Sequence, residues 1–318
     1  MAYQDIWTDG LATIRKALTS SNSGTVLLQP VVDAVIPMLA DYQNPLRQNL
    51  PRKKGSGQNC IINRRSAGTT PAQWVADTDT PDESTGSYAQ SLFAYRTLLA
   101  KGKVTRKLQA TGASYIDVLM EEIEGRMLEY KNYEDLAFVS GVSSATVPEG
   151  IQYLTTDNQA VGVTTTSGGA PLTLAKMNAA FDTNIGNPDM IIMTRRTRQE
   201  LDALLQPQQQ YTNTDGMITV RGGFRLLMYN GVPIYTSTNV CNTQTFNGST
   251  VTSNTGGNSS SVYFVDTNHL WVSELTPIKM IPLAKTTSQY DEFEIFCDEV
   301  LALRNPLCIS KLIGIYGG

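Results

Sequence analysis

The chain has 318 residues, 41% of them apolar, with 25 glycines and 14 prolines, enough to bury one large core or two smaller ones. No window holds about 18 uninterrupted apolar residues, so no helical membrane span is expected; the opening Met1-Ala2-Tyr3-Gln4-Asp5-Ile6-Trp7 lacks a basic-then-apolar order, so no secretory signal is expected either. The net charge of −4 is unevenly spread: residues 1–107 carry 13 Lys/Arg against 8 Asp/Glu, a balance of +5, and residues 108–318 carry 12 against 21, a balance of −9.

Ile6, Trp7, Leu11, Ile14 and Leu18 recur at helical spacing and predict a short amphipathic helix, broken over Ser20 to Gly24. From Thr25 to Lys54, apolar Val31, Val32, Val35 and Ile36 are interleaved with Pro30, Pro37, Pro45 and Pro51. Proline removes a backbone donor, so this stretch suits an extended arm lying over another surface and not a central strand. The bases that follow (Arg47, Arg52, Lys53, Lys54, Arg64, Arg65) are scattered, with neither a basic helix nor an aromatic platform. That pattern speaks against sequence-specific nucleic-acid binding and leaves docking on an acidic neighbour.

Cys60–Arg64 is a candidate strand, and Leu92–Leu99 with Lys103–Arg106 a second one, interrupted at Gly102. Between them, Ser66 to Ser91 is polar and holds Asp77, Asp79, Asp82 and Glu83 around Pro81. So long a structureless loop does not fit a compact domain. A two-stranded hairpin projecting from the body fits better, and such a hairpin needs a partner to hold it. A helix of roughly 35–40 Å at 1.5 Å per residue is predicted from Ser114, which with Asp117 makes a capping-box-like start, to about Val139. Its apolar line is Ile116, Met120, Ile123, Met127 and Tyr130, with Leu119 and Leu128 beside it and Asp117, Glu121, Glu122, Glu124 and Glu129 elsewhere. It is read as lying across a sheet.

The remainder reads as mixed α/β. A helix is expected over 172–184, a buried strand over Met190–Met193, and a helix over 195–205 capped by Thr194. A Gln-rich loop at 206–210 precedes strands at 217–220, 224–229 and 232–235, the last two joined by the tight-turn pair Asn230-Gly231. Residues 236–265 contain no charge and are rich in Ser, Thr, Asn and Gly, as in Gly256-Gly257-Asn258-Ser259-Ser260-Ser261, which marks a surface loop running into a strand at 262–265. Strands are expected at 270–273, 278–284, 294–303 and 307–315, the middle pair as a hairpin.

No chemistry stands out. The one histidine, His269, reads as a structural or surface residue, since nothing nearby completes a nucleophilic site. No clustered Cys/His, H-E-x-x-H, calcium loop or phosphate-binding glycine motif occurs, and Asp77, Asp79 and Asp82 lack the spacing of a calcium loop. The helix acids read as a solvated or interface face. Cys60, Cys241, Cys297 and Cys308 have no C-x-x-C pair and are expected as free, buried thiols. Catalytic residues, metal ligands and cofactors are therefore all expected to be none.

The order of parts resembles the Hong Kong 97-type major capsid proteins of tailed double-stranded DNA bacteriophages. The similarity is carried by Ile116–Gly141, ending Tyr133-Glu134-Asp135-Leu136-Ala137-Phe138-Val139-Ser140-Gly141. It continues in Pro148-Glu149-Gly150-Ile151, Tyr229-Asn230-Gly231-Val232-Pro233-Ile234 and Leu303-Arg304-Asn305-Pro306. The resemblance implies an α+β fold with an N-terminal arm at 1–57, an extended loop at 58–107 and a peripheral domain with its spine helix at 108–171. An axial domain at 172–275, a peripheral hairpin at 276–306 and a final strand at 307–318 returning to the axial domain would follow.

It further implies hexamers and pentamers assembling in the bacterial cytoplasm into an icosahedral shell. The implied partners are other copies of the chain, a portal protein, a cement or decoration protein, and packaged double-stranded DNA held by non-specific contact. Some members cross-link through a loop lysine, but no lysine lies between Lys54 and Lys101, so a non-covalent shell is expected. A separate scaffolding protein is expected because no long scaffold-like segment precedes the arm. The charge split predicts inter-subunit contacts through Arg47, Arg52, Lys53, Arg64 and Arg65 on the basic side. They would dock on the acidic helix of a neighbour, through Glu121, Glu122 and Glu124; Trp74, Asp77 and Asp79 on the loop are expected as further inter-subunit contacts. Three other readings remain open: an encapsulin-like compartment, a soluble enzyme with an unrecognised site, and an adhesin using residues 236–265.

Overall fold

A computed structural model of the chain describes residues 43–66, 72–83, 85–112, 117–154, 160–162, 169–205, 217–219, 225–247, 250–284 and 289–316. The helix expected over Ile6–Leu18, the arm up to residue 42 and the Gln-rich loop lie outside the described residues. The first half contains α1 (Pro45–Asn49), β1 (Arg52–Lys54), β2 (Asn59–Arg65), β3 (Tyr88–Ala94), β4 (Arg96–Thr105), α2 (Arg106–Gly112), the long α3 (Val118–Ser140) and α4 (Ile151–Leu154). Then come β5 (Ala160–Gly162), α5 (Leu174–Thr183), β6 (Met190–Met193), α6 (Arg195–Leu205), β7 (Met217–Thr219), β8 (Arg225–Tyr229) and β9 (Val232–Thr236). The chain closes with β10 (Thr245–Asn247), β11 (Thr250–Ser253), β12 (Ser259–Val265), β13 (Leu270–Pro282), β14 (Tyr290–Leu303) and β15 (Ile309–Tyr316).

Two sheets form the body. One has four strands in the order β1-β13-β14-β4, and the other has seven in the order β5-β15-β12-β6-β9-β8-β7. In the seven-stranded sheet alternate residues serve opposite cores. Met190, Ile192, Tyr263 and Val265 join Leu46, Phe138, Ile151, Leu270, Leu301 and Leu303, which also anchor the four-stranded sheet. Ile191, Met193, Val262 and Phe264 face the other way, onto Met177 and Ala180 of α5 and Leu201 of α6. The uninterrupted apolar run Met190–Met193 is thus a strand buried on both faces. Thr194 caps α6 by accepting from Thr197 N at 3.2 Å. Asn230 and Gly231 both take positive φ, 49° and 79°, as the tight turn between β8 and β9 requires.

A hairpin forms from β2 and β3, paired from Asn59↔Ala94 to Arg65↔Tyr88. The strand expected over 92–99 divides at Tyr95, whose hydroxyl meets Ser273 Oγ at 2.9 Å and pins the corner to the four-stranded sheet. Beyond it β4 leaves the hairpin and pairs with β14 from Arg96↔Glu299 to Thr105↔Tyr290. Gly102 is not a break. It lies opposite Phe293, and a Cβ there would come within 2.3 Å of the ring, so glycine makes room for the aromatic to cover the strand.

The late hairpin is longer than the sequence predicts, pairing Leu270↔Leu303 through Pro282↔Phe293. It crosses the expected boundary at 275/276. Pro277 does not interrupt β13, because it falls where the register shifts between Thr276 and Lys279 and no ladder bond needs its missing N–H. The seven-stranded sheet also contains β5 and β15, which lie outside residues 172–275.

Asp117 caps α3, its Oδ1 accepting from Leu119 N (3.2 Å) and Met120 N (3.3 Å); Ser114, the expected start, lies outside the described residues. The face toward β14 is Leu119, Ile123, Met127 and Tyr130, against Phe293, Ile295 and Cys297. Glu134 and Phe138 continue that face. Met120, expected on it, is more than half exposed. Apolar residues occur around much of this helix, so the sequence leaves its rotation undetermined.

The uncharged stretch 236–265 is not a surface loop throughout. Ser259, Ser260 and Ser261 are fully buried at the start of β12. Ser259 Oγ donates to Gln244 O (2.6 Å) and Ser261 Oγ to Gln244 Oε1 (2.6 Å). Gln244 Nε2 donates to Gln152 Oε1 (3.2 Å), and Lys311 Nζ to Gln152 O (3.1 Å). Composition ordinarily places these side chains in water; the bonds to Gln244 permit the burial of Ser259 and Ser261, while the Ser260 hydroxyl is buried without a partner among the described residues. All four cysteines are free; Cys297 and Cys308 are buried, whereas Cys60 and Cys241 are only partly so. Among the described residues, no helix is long and apolar enough to cross a membrane.

Candidate assembly surfaces

Six charged side chains from five elements meet beneath α3. β13 and β14 place Glu274 directly opposite Glu299, a like-charge pair that is unfavourable on its own. β1 runs beside β13 with Arg52 at Val272, and this lets the Arg52 guanidinium reach both acids. Arg52 pairs with Glu274 and with Glu134 of α3, and its Nη1 lies 3.4 Å from Glu299 Oε2. Arg47 of α1 pairs with the fully buried Glu134 carboxylate. Next to it, Asp135 Oδ1 accepts from Arg47 N (2.9 Å) and Oδ2 from Asn239 Nδ2 (2.8 Å). Burial pushes Asp135 up to about 6 despite those hydrogen bonds. Burial also raises Glu299, with Arg52 opposing the rise.

Two residues expected at subunit contacts take part in this hub. Arg47 and Arg52 do meet an acidic helix, but it is the helix of their own chain. Desolvation explains the choice: buried carboxylates need a cation at close range, and the adjacent segment 47–52 supplies it. Glu134, Asp135, Glu274, Glu299 and Asn239 were not singled out from sequence. The available signal was that Glu134 sits one turn beyond Tyr130, on the buried side of α3.

Lys53 Nζ sits 4.4 Å above the Trp271 ring, and the Arg304 guanidinium lies 5.3 Å from the same ring. Arg64 Nε donates to Arg304 O (2.9 Å) and its Nη2 to Leu303 O (2.8 Å), fastening the loop end of the β2–β3 ladder to the end of β14. A groove of about 300 Å³ opens there, lined by Arg64, Leu92, Phe93, Glu149, Tyr153 and Pro306 among others. Arg65 lies over the Tyr88 ring at 5.8 Å. At the far end, Gln73 and Asp82 close the tip: Gln73 Nε2 donates to Asp82 Oδ2 (3.0 Å) and Asp82 N to Gln73 Oε1 (3.2 Å). Within that tip Trp74 is fully exposed, and Asp77 and Asp79 face solvent. Ile61, Tyr88 and Leu92 add exposed apolar surface along the hairpin.

On α3, Glu122 and Glu129 flank Arg126, each at 2.9 Å. Glu124 is exposed and Glu121 lies in the first turn, where the helix dipole favours an acid. Among the described residues, no ion pair links Arg64 or Arg65 to Glu121, Glu122 or Glu124 within the chain.

A family model described as the phage capsid family matches residues 24–293. The chain belongs to the phage capsid family. It is a structural, shell-building protein with the Hong Kong 97-type fold, and solved structures agree on that fold. The capsid of an empty GTA particle aligns with a TM-score of 0.66 at 14% identity, covering 93% of this chain and 99% of that one. Mycobacterium phage Bobi gives a TM-score of 0.64 at 14% identity, with 93% and 98% covered. The holo-SrpI encapsulin complex from Synechococcus elongatus PCC 7942 gives 0.66 at 11% identity, with 92% and 95% covered. No curated protein matches the sequence.

Proposed function

We propose that this chain is a major capsid protein whose copies assemble as hexamers and pentamers into an icosahedral shell around phage double-stranded DNA. The hairpin β2–β3 and its loop carry the reading: Ile62 and Phe93 pack on Trp271 and Ala302, while Ile61, Tyr88 and Leu92 of the strands and Trp74 of the loop stay exposed. This exposed apolar surface calls for a neighbouring copy to cover it. On this reading Trp74, Asp77, Asp79 and Arg65 touch the next subunit, while Lys53, Glu121, Glu122 and Glu124 receive its hairpin or arm. Arg64 acts indirectly by seating the hairpin, and Arg47 and Arg52 by seating the root of the arm. The subunit is a building block, not an enzyme, and it assembles in the host cytoplasm. A portal, a separate scaffolding protein, a cement protein and non-specifically held DNA are its expected partners.

Negative-stain microscopy of the expressed protein with its scaffold tests this. Closed particles with six- and five-fold capsomers are expected; monomers under every assembly condition would overturn it. The shell is held without covalent cross-links, since no lysine lies between Lys54 and Lys101. Boiled in detergent, particles should release a band near 34.7 kDa, and a ladder of multimers would refute this. The encapsulin likeness, with a TM-score of 0.66, supports a second reading as a protein compartment. Nucleic acid inside purified particles favours the phage shell, and enzyme cargo favours the compartment.

A further inference from the structure

Three ligand-type side chains, distant in sequence, meet where the two sheets join. β12 ends at Val265, which pairs with Ile309, the first residue of β15. Asp266 and Cys308 are the next residues beyond that pair, one on each side. From Asp266 a four-residue turn leads into β13: His269 N donates to Asp266 O (3.2 Å) and Asn268 N to Asp266 Oδ1 (2.9 Å). The first and fourth residues of such a turn have Cα atoms within about 7 Å, which returns His269 to the side of Asp266. One ligand atom from each of Asp266, His269 and Cys308 lies within 4.8 Å of the other two.

Three further observations point to a ligand. Asp266 is only 4% exposed, yet no arginine or lysine among the described residues pairs with it. A buried carboxylate without a counter-charge is costly, and a bound cation would remove that cost. His269 Nδ1 is buried and makes no hydrogen bond. Gly186 lies beside the cluster, where a Cβ would stand 2.6 Å from Asp266 Oδ2 and 3.2 Å from Cys308 Sγ, so glycine keeps the space next to both ligand atoms. The frame is tied down on each side. Asn184 Nδ2 donates to Cys308 O (3.1 Å), Gly186 N to Asn184 Oδ1 (2.9 Å) and Arg304 N to His269 O (2.8 Å).

We propose that Asp266, His269 and Cys308 bind one divalent cation of the zinc class. A thiolate, an imidazole and a carboxylate suit a borderline-soft ion with three protein ligands and water in the fourth position. Calcium and magnesium favour all-oxygen shells and do not fit this set. With metal–ligand bonds of about 2.0–2.3 Å, tetrahedral ligand atoms stand roughly 3.3–3.8 Å apart, a spacing these three side chains reach with small rotations. Cys308 Sγ gives its proton to solvent as the sulfur–metal bond forms. The ion would pin the turn that carries the chain from the seven-stranded to the four-stranded sheet, together with the start of β15.

Cobalt titration of the purified full chain, stripped with chelator, tests the site. One Co²⁺ per chain is expected, with a near-ultraviolet thiolate-to-cobalt band that Zn²⁺ displaces, and with a melting temperature raised by Zn²⁺. C308S should abolish the band, H269Q should weaken binding roughly tenfold or more, and C60S and C241S should leave it intact. No band in the wild type, or a band that survives C308S, overturns the site. If C308S fails to fold, H269Q decides: undiminished cobalt affinity overturns the proposal, and weakened affinity supports it.

Discussion

Replacing Arg52 with methionine removes the cation that faces Glu134, Glu274 and Glu299 while keeping an apolar stem of similar length. Glu134 is fully buried, the Glu299 side chain is 4% exposed, and Arg52 itself is 25% exposed. Breaking a buried pair by deleting one partner ordinarily costs about 3–5 kcal/mol. The partial exposure of Arg52 and the remaining Arg47–Glu134 pair place the loss at the lower end, about 3 kcal/mol. For a domain of this size that is a fall of roughly 6 °C in melting temperature.

The loss should also carry a pH signature. With Arg52 gone, Glu299, already raised by burial, loses the cation that opposes that rise and takes up a proton more readily. The deficit should therefore shrink as pH falls from 7.5 to 5. Urea unfolding of the unassembled subunit at the two pH values measures both quantities. A loss under about 1 kcal/mol at pH 7.5, or a loss that does not change with pH, would refute the hub as a stabilising element. Arg52→Lys keeps the charge but not the fork that spans several acids, and should fall between the wild type and the methionine variant.

Asp135 binds its proton more tightly folded than unfolded, with a folded value of about 6, so the stability it lends is complete below the ordinary aspartate range and is lost as pH rises through about 6. Asp135→Asn should flatten the stability–pH curve across that window, which urea midpoints at intervals from pH 4 to 7 would show; an unchanged slope would contradict it. Trp74→Ala should leave subunit unfolding within about 0.5 kcal/mol of wild type, because the ring is fully exposed, yet reduce particle yield by electron microscopy. Gly102→Ala forces a methyl group against the Phe293 ring and should cost about 1–3 kcal/mol in unfolding free energy, with a companion Phe293→Leu restoring part of it.

Much of the local structure was legible in the residues themselves. An all-apolar run of strand length made Met190–Met193 a strand buried on both faces. Thr194 and Asn230-Gly231 carry their cap and turn chemistry in their own side chains and backbone preferences. The hairpin β2–β3 was legible because its long polar loop could not be packed inside a domain. Each of these depends on neighbours within a few positions, where period, capping and turn stereochemistry act directly.

What the sequence left open was decided by groups far apart in the chain. The rotation of α3, which turns Glu134 inward and Met120 outward, depends on which residues of β14 lie beneath it. The burial of Ser259 and Ser261 required Gln244, itself held by Gln152, to satisfy their hydroxyls. Arg52 finds Glu134, Glu274 and Glu299 across separations of 82, 222 and 247 residues. His269 gains Asp266 from its own turn, and Cys308 only because β15 pairs with β12. Desolvation makes such groups seek partners, but only the folded sheets determine which partners lie within reach.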